Sequence, residues 1–180
     1  MTNPYDIIDK YYPVGSRLRD IYLRHCRAVA DEALAISHRL GLPLDDDMVR
    51  GAALLHDIGI YATHAPSIAC EGAHPYIAHG VIGAELLRRE GAPGQWAAVA
   101  EHHTGSGLTA QEIVRQNLPL PPVDILPVTQ LERLICYADK FYSKSGDMKR
   151  KPLERVKASL AGFGEASLQR FLKLHEEFGA

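Results

Sequence analysis

The sequence predicts an all-α fold, a compact bundle of several helices, from three observations. Apolar residues recur every three or four positions over most of the chain, which is the spacing of one face of an α-helix. No segment alternates apolar and polar side chains over the length of a strand. Residues that cap helices, and glycines that end them, stand where these periodic stretches begin and stop.

The first predicted helix begins after Ser16, a good capping residue, and runs to about Leu40, where Gly41 ends it. Its apolar face is spaced by three or four residues and includes one histidine. The members of this face are Leu18, Tyr22, His25, Val29, Ala33, Ile36 and Leu40. A polar ring in such a stripe is unusual enough to mark it for attention.

A second helix is predicted from the acidic run 45–47, since carboxylates stabilise a helix N-terminus. It continues through His56 and Asp57, and Gly59 is expected to stop it. A loop follows over 61–75. The remaining predicted helices cover about 77–90 and 94–103, a short stretch from Thr109, a stretch capped by Thr129 beyond the Pro-rich connection 119–127, and about 152–160 and 164–178.

One domain over residues 1–180 is expected, because 180 residues suit a single core and the sequence has no repeat or Ser/Gly-rich linker. Its aromatic and apolar residues near the C-terminus, with Trp96, are interpreted as core or helix-packing residues: Phe163, Phe171, Leu172 and Phe178. The three cysteines lack any Cys-x-x-Cys spacing and are predicted to be small buried side chains: Cys26, Cys70 and Cys136.

Composition and charge exclude several classes of protein. Apolar residues make up 46% and charged residues 23%, which is typical of a globular chain. A net charge of −2 argues against a nucleic acid polymer or a membrane surface as partner. The N-terminus lacks a secretory signal pattern, and no apolar run approaches the ~20 residues of a membrane span, so a cytoplasmic location is expected. Monomer and homodimer both remain open.

Five histidines and two aspartates fall on otherwise apolar helical faces: His25, His56, Asp57, His79, His102, His103 and Asp139. A buried carboxylate needs a charged partner or a metal ion, so this set predicts a metal site. Imidazole and carboxylate ligands without thiolate suit divalent Fe, Mn, Zn, Ni, Co or Mg. Asp57 has two oxygens and is the candidate to bridge two metals about 3.5–4 Å apart, which together activate water and neutralise a phosphoryl oxygen.

The ordered set resembles the HD-domain superfamily of metal-dependent phosphohydrolases, and residues 56–59 match its His-Asp-Ile-Gly variant in full. Four segments are similar to small HDIG-domain proteins: Leu-Leu-His-Asp-Ile-Gly (54–59), His-Gly-Val-Ile-Gly-Ala-Glu-Leu-Leu (79–87), Glu-His-His-Thr-Gly-Ser-Gly (101–107) and Tyr-Ala-Asp-Lys (137–140). The resemblance covers about 18–145. It implies an HD-domain bundle with a metal site in its core. The helices over 152–178 lie beyond the resemblance and are expected to belong to the same domain.

The resemblance implies six metal ligands: His25, His56, Asp57, His79, His103 and Asp139. His102 matches an additional ligand of relatives that carry a double histidine, and His74 is an alternative to His79. Ile21 stands where cyclic-dinucleotide phosphodiesterases of the HD-GYP type have a glutamate, and no Gly-Tyr-Pro follows the double histidine. These departures argue against a third metal and against that activity.

Beyond the ligands, Asp57 and Lys140 are predicted to be catalytic, and Lys140 with Lys144 to bind a phosphate as cations. Thr63 and His64 are predicted to line the mouth of the site. The run 149–151 (Lys-Arg-Lys) is interpreted as a solvated turn.

The leading hypothesis is a hydrolase of a small phosphate ester or nucleotide, with one or two metal ions. A similarity to HD-type dinucleoside tetraphosphate hydrolases in His79-Gly80, His103-Thr104 and Ala138-Asp139 makes nucleotides the first class to test. Two alternatives remain open. Some HD-fold relatives are di-iron oxygenases with similar ligands, and a regulatory module can keep its metal without turnover.

Overall fold

The computed structural model describes residues 2–179 and confirms the all-helical architecture. Its helices are α1 (Pro4–Tyr11), α2 (Arg17–Leu40), α3 (Asp46–Leu55), α4 (His79–Arg89), α5 (Gly94–His102), α6 (Ala110–Arg115), α7 (Gln130–Asp139), α8 (Leu153–Ala161) and α9 (Glu165–Phe178). Short 3₁₀ turns cover Ile58–Ala62, Pro66–Ile68 and Tyr76–Ala78. The strands β1 (His64–Ala65) and β2 (Cys70–Glu71) form a small antiparallel pair in the loop after α3. Within the described residues, no helix is both long and apolar enough to cross a membrane.

The predicted caps form at the expected helix starts. Ser16 Oγ accepts the Arg19 amide at 3.2 Å, and Thr129 Oγ1 accepts the Glu132 amide at 3.2 Å. Gly41 ends α2 with φ of +61°, a left-handed conformation that glycine adopts without steric cost. Local capping therefore sets the lengths of the helices that carry the site.

Helix α1 was not predicted from the sequence. Eight residues form a marginal helix on their own, so tertiary packing must stabilise α1. Its Asn3 cap accepts the Tyr5 amide at 3.1 Å, and Ile7, Ile8 and Tyr12 are buried in the core. The helix is thus an integral part of the bundle.

Gly59 does not end α3 as expected, because α3 already stops at Leu55. It lies in the 3₁₀ turn that passes directly over the start of α4. A Cβ atom at this position would lie 2.2 Å from the His79 carbonyl oxygen and 2.6 Å from the Gly83 amide nitrogen. Glycine is required here by the close approach of two backbones, which brings the His56-Asp57 segment against His79.

The core is one continuous apolar cluster built mainly from α2, α3, α5 and α7, with α4 packed on α5. Phe171 and Phe178 of α9 are buried in it, as is Trp96, whose ring lies against Gly51. The three cysteines are buried as predicted. Phe163 is a correction: it was expected in the core, but it is 70% exposed in the turn between α8 and α9.

Candidate metal centre

The structure brings six of the seven predicted ligands together in the interior of the bundle. Five of them lie at helix ends or beside them, and one lies within α2. The six residues are His25, His56, Asp57, His79, His103 and Asp139. All are buried, with side-chain exposure of 10% or less. The helix ends therefore deliver polar groups to one point while the helix bodies form the apolar core.

The six side chains form two groups that share Asp57. One contains His25, His56, Asp57 and Asp139, and the other contains Asp57, His79 and His103; within each group the ligand atoms lie within 4.8 Å of one another. Asp57 Oδ2 lies 3.1 Å from His25 Nε2, and Asp57 Oδ1 lies 3.3 Å from His103 Nε2. The two oxygens of one carboxylate thus face different groups.

Three of the imidazole rings are oriented by the backbone of their own preceding turn. The Nδ1 atoms of His56, His79 and His103 each donate to a carbonyl oxygen three residues earlier, at 2.6, 2.6 and 2.8 Å respectively. A ring whose Nδ1 carries the proton presents the lone pair of Nε2. These Nε2 atoms all point into the cluster, which is the tautomer that a metal ligand needs.

In the part of the chain that the structure describes, the cluster contains buried polar atoms without hydrogen-bond partners, to which a cation could bind. Within the described residues, neither oxygen of Asp57 accepts a hydrogen bond of ordinary geometry, although Lys144 Nζ forms an ion pair with Oδ2 at 2.6 Å. The Nε2 atoms of His79 and His103 lie 3.0 Å apart with both lone pairs directed inward. Buried polar atoms are almost always paired, so this donor set fits a divalent cation.

The electrostatics of the cluster favour ligating protonation states in most of its members. Burial and the neighbouring His103 lower the pKa of His79 to about 3, and burial lowers that of His103. Burial alone would raise the pKa of Asp57, but the charge of Lys144 and the neighbouring histidines together outweigh it and hold the pKa well below its usual range. His56 differs: burial opposes its protonation, yet the Asp57 and Asp139 carboxylates together raise its pKa well above the usual value.

Two tyrosines hold the backbone that carries His56 and Asp57. Tyr22 of α2 donates from its hydroxyl to the Leu54 carbonyl at 2.6 Å, and Tyr12 donates to the Ile58 carbonyl at 2.9 Å. Both tyrosines are buried. The Leu54 carbonyl is one of those left without an intrahelical partner at the end of α3, and the Ile58 carbonyl belongs to the 3₁₀ turn that follows. Sequence reasoning placed Tyr22 on an apolar face and did not single out Tyr12; their role depends on tertiary contacts.

His102 does not join either ligand group. Adjacent helical residues point about 100° apart, and its Nδ1 lies 2.8 Å from Glu132 Oε2 on α7. Burial alone would raise the pKa of Glu132, but the hydrogen bond with His102 and others lower it to about 2. His74 also lies outside both groups, exposed in the loop, where its carbonyl accepts the His64 amide at 2.8 Å. His79 occupies the position for which His74 was the alternative.

A cavity of about 650 Å³ opens beside the cluster and is lined by His79, His103, Asp139, Lys140 and Lys144. Lys140 Nζ donates to Asp139 Oδ2 at 2.7 Å and to the His103 carbonyl at 3.0 Å. The two lysines predicted to bind phosphate therefore stand where the ligand cluster meets the cavity.

Thr63 and His64 do not line this cavity. Thr63 is buried and donates to the Ile60 carbonyl at 2.8 Å, while His64 is exposed on β1. Lys151 is a cavity residue that sequence reasoning assigned to a solvated turn. It is partly buried and forms no ion pair within residues 2–179. Its position in a run of three basic residues gave no signal that would separate it from exposed Lys149 and Arg150.

Comparison with known proteins agrees with this geometry. Residues 22–143 match the family model described as HD domain. An uncharacterized protein of Methanocaldococcus jannaschii, MJ0778, is 34% identical over 159 residues, covering 86% of each chain. A solved structure, the phosphodiesterase PgpH HD domain of L. monocytogenes, superposes with a TM-score of 0.56 at 15% identity, over 99% of this chain and 86% of that one. That similarity supports the fold.

Two further relatives are larger proteins named tRNA (cytidine(56)-2′-O)-methyltransferase. The protein of Thermoplasma volcanium is 32% identical over 94% of this chain, and that of Picrophilus torridus is 32% identical over 89%. The chain spans only 44% and 42% of their respective lengths. The family match extends over more than half of the sequence and includes every residue of the buried cluster. The chain belongs to the HD-domain family.

Proposed function

We propose that this protein is a metal-dependent phosphohydrolase that acts on a small phosphate ester or nucleotide at a dinuclear site. One observation carries the proposal: two buried ligand groups share the Asp57 carboxylate and border a cavity in which lysines stand beside them. A bridging carboxylate is the natural link between two cations, and an adjoining cavity gives a substrate access to them.

The residues divide naturally between the two cations. His25, His56 and Asp139 with Asp57 would hold one, and His79 and His103 with Asp57 would hold the other. When bound, divalent ions supply an activated water for attack on phosphorus and positive charge for the phosphoryl oxygens. Hydrolysis then forms one P–O bond to water and breaks the P–O bond to the leaving group, which departs with a proton.

The chain's own cations contribute to phosphate binding. Lys140 is fixed by Asp139 and the His103 carbonyl, so its ammonium is positioned before substrate arrives. Lys144 is paired with Asp57, and Lys151 offers a further positive charge at the cavity wall. Preorganised cations stabilise the charge of a transferring phosphoryl group without reorganisation during the reaction.

The cavity also bears on the alternatives. A volume of about 650 Å³ lies within the range of about 300–1,000 Å³ typical of small-molecule sites. A regulatory module that only retains metal does not need such a cavity beside its ligands. The similarity to HD-type dinucleoside tetraphosphate hydrolases makes nucleotides the first substrate class to test.

The test loads the protein anaerobically with Mn²⁺ or Fe²⁺ and measures phosphate release from a panel of mono- and dinucleotides. Each reaction is repeated in air, with oxygen consumption followed. Asp57→Ala removes the shared carboxylate, and Asp47→Ala, an exposed aspartate of α3, is the matched control. Circular dichroism and metal content are measured for every variant.

We expect oxygen-independent phosphate release by the wild type and by Asp47→Ala, with none above background from Asp57→Ala. Oxygen consumption without phosphate release would replace the proposal with the oxygenase. Bound metal with neither activity would favour the regulatory module.

A further inference from the structure

We propose that the cavity wall formed by α8, the turn after it and α9 is a specificity subsite for a planar heteroaromatic ring of the nucleobase class. This inference rests on the proposed function, since it places the phosphate of the same molecule at the metal centre. It assigns a role to residues beyond the segment 22–143 that matches the family model.

The first observation is an exposed aromatic ring on the cavity wall. Phe163 is 70% exposed, whereas Phe141, Phe171 and Phe178 are at most 1% exposed. Phe163 lines the cavity next to Val156 and Leu160 of α8. Leu108 and Leu118 add apolar surface to the same cavity. Aromatic side chains presented in this way are the usual platforms on which nucleobases stack.

The second observation is an incompletely bonded guanidinium on the same wall. Arg170 of α9 donates from one terminal nitrogen to the Gly107 carbonyl at 2.9 Å and to Glu112 Oε1 at 3.0 Å. Its Nε atom is buried and has no hydrogen-bond partner within the described residues. The other terminal nitrogen makes no hydrogen bond within the described residues either, and it is not buried, so it is the donor that a ligand in the cavity can reach.

The environment of Arg170 indicates what this ligand group is. Glu112 offsets the guanidinium charge, and the other oxygen of that carboxylate is occupied by the amide and hydroxyl of Thr109. A charge-balanced arginine with a free donor suits a neutral acceptor, such as a ring nitrogen or carbonyl oxygen, better than a second phosphate. A nucleobase combines such acceptors with a face that can stack on Phe163.

Both features line the cavity that also holds Lys140, Lys144 and the metal ligands. One substrate molecule can therefore place its phosphate at the cluster and its ring at the subsite. Phosphate chemistry alone would accept any ester, so selection among esters falls to this wall.

The test compares ligands that differ only in the ring. Each of the four ribonucleoside 5′-monophosphates and ribose 5-phosphate is titrated into the Mn²⁺-loaded protein by calorimetry, and kcat/KM is measured where turnover occurs. Phe163→Ala removes the platform. Val128→Ala, which is also 70% exposed and lies away from the cavity, is the matched control.

We expect the wild type to bind at least one nucleotide more tightly than ribose 5-phosphate. Phe163→Ala should weaken that nucleotide about tenfold, equivalent to about 1.4 kcal/mol, and leave ribose 5-phosphate unchanged. Val128→Ala should change neither. Equal affinities of the wild type for all five ligands, or equal losses for nucleotide and sugar phosphate in Phe163→Ala, would overturn the subsite.

A second variant tests the polar half. Arg170→Lys keeps a positive charge beside Glu112 but removes the planar guanidinium, so selectivity among the four bases should fall while ribose 5-phosphate binding stays the same. The melting temperature is measured alongside, because the hydrogen bond to the Gly107 carbonyl is also lost. Unchanged base selectivity in a folded Arg170→Lys protein would remove arginine from the proposal. Calorimetry measures binding whether or not the ligand is hydrolysed. If binding depends on the base but no nucleotide is hydrolysed, the proposed reaction is contradicted and the subsite is still supported.

Discussion

The ligand cluster and the wall formed by α8 and α9 border the same cavity but differ in the chemical character of their side chains. The cluster consists of buried charged and polar groups whose rings are fixed by backbone carbonyls. The wall consists of apolar side chains, two serines, one exposed phenylalanine and one partly bonded arginine. In the proposed function the first region carries out the hydrolysis of every substrate, and in the proposed subsite the second region selects among them.

The difference between the regions predicts different responses to substitution. Residues of the cluster should control metal binding and rate for every substrate. Residues of the wall should leave metal binding unchanged and affect only substrates that reach them. Four experiments on these regions and on the segment that supports the cluster follow, beginning with the largest expected effect.

Substitution of the adjacent histidines should affect metal binding and activity to very different extents. His103→Ala removes a ring whose Nε2 lies in the cluster, so metal affinity and kcat/KM should fall by at least about 100-fold. His102→Ala should leave metal content unchanged and activity within about threefold, because its ring contacts Glu132 instead. Metal analysis after gel filtration and a phosphate-release assay measure both; equal losses in the two variants would place His102 among the ligands.

Lys144→Met should reduce kcat/KM about 30-fold, since a charge-assisted contact to phosphate contributes about 1.5–3 kcal/mol. Metal content should not fall, because the lysine is a partner of Asp57 and not a ligand. Lys149→Met, an exposed lysine of the same loop, is the control. A loss of metal in Lys144→Met, with activity restored by excess metal, would show that the lysine acts on the cluster rather than on the substrate.

Tyr12→Phe should lower the free energy of unfolding by about 1 kcal/mol, because it removes a buried hydrogen bond to the Ile58 carbonyl. Denaturant unfolding measures this change. Tyr5→Phe, whose hydroxyl makes only a long contact of 3.4 Å with Arg27, should change stability by less than about 0.5 kcal/mol. A Tyr12→Phe protein as stable as the wild type would mean that packing alone holds the segment.

Phe163→Ala should have the smallest effect on stability. Its free energy of unfolding should lie within about 0.5 kcal/mol of the wild-type value, because the Phe163 ring is mostly exposed. Thermal melting in the absence of ligand measures it. A large loss of stability would show that Phe163 contributes to folding, and its exposure would then need another explanation than ligand binding.

The ligand cluster and the ends of α2 could be predicted from the sequence. His25 and Asp139 stood out because polar residues on apolar helical faces are exceptions, and the structure places them together. Their order along the chain indicated the family, which the comparison confirms. Capping at Ser16 and the left-handed Gly41 followed from local chemistry alone.

Features that depend on tertiary contact could not be read in this way. Phe163 is predicted from its apolar character to be a core or helix-packing residue, but it lies in the turn between α8 and α9 and is exposed there. The direction in which the His102 side chain points depends on the residue at which α5 ends. That residue is His102 itself, directly before His103. Helix α1 has too short an apolar pattern to be distinguished from a loop, and its burial comes from the rest of the bundle.

The hydroxyl of Tyr12 also bears on how much of the chain the fold requires. It joins the start of the chain to the turn after α3, and Arg19 in turn donates to the Tyr12 carbonyl at 2.7 Å. Both residues precede the segment 22–143, while Phe171 and Phe178 complete the core after it. A fragment cut at the limits of the family match would lose these contacts at each end, so we expect it to unfold at a lower temperature than the chain that includes them.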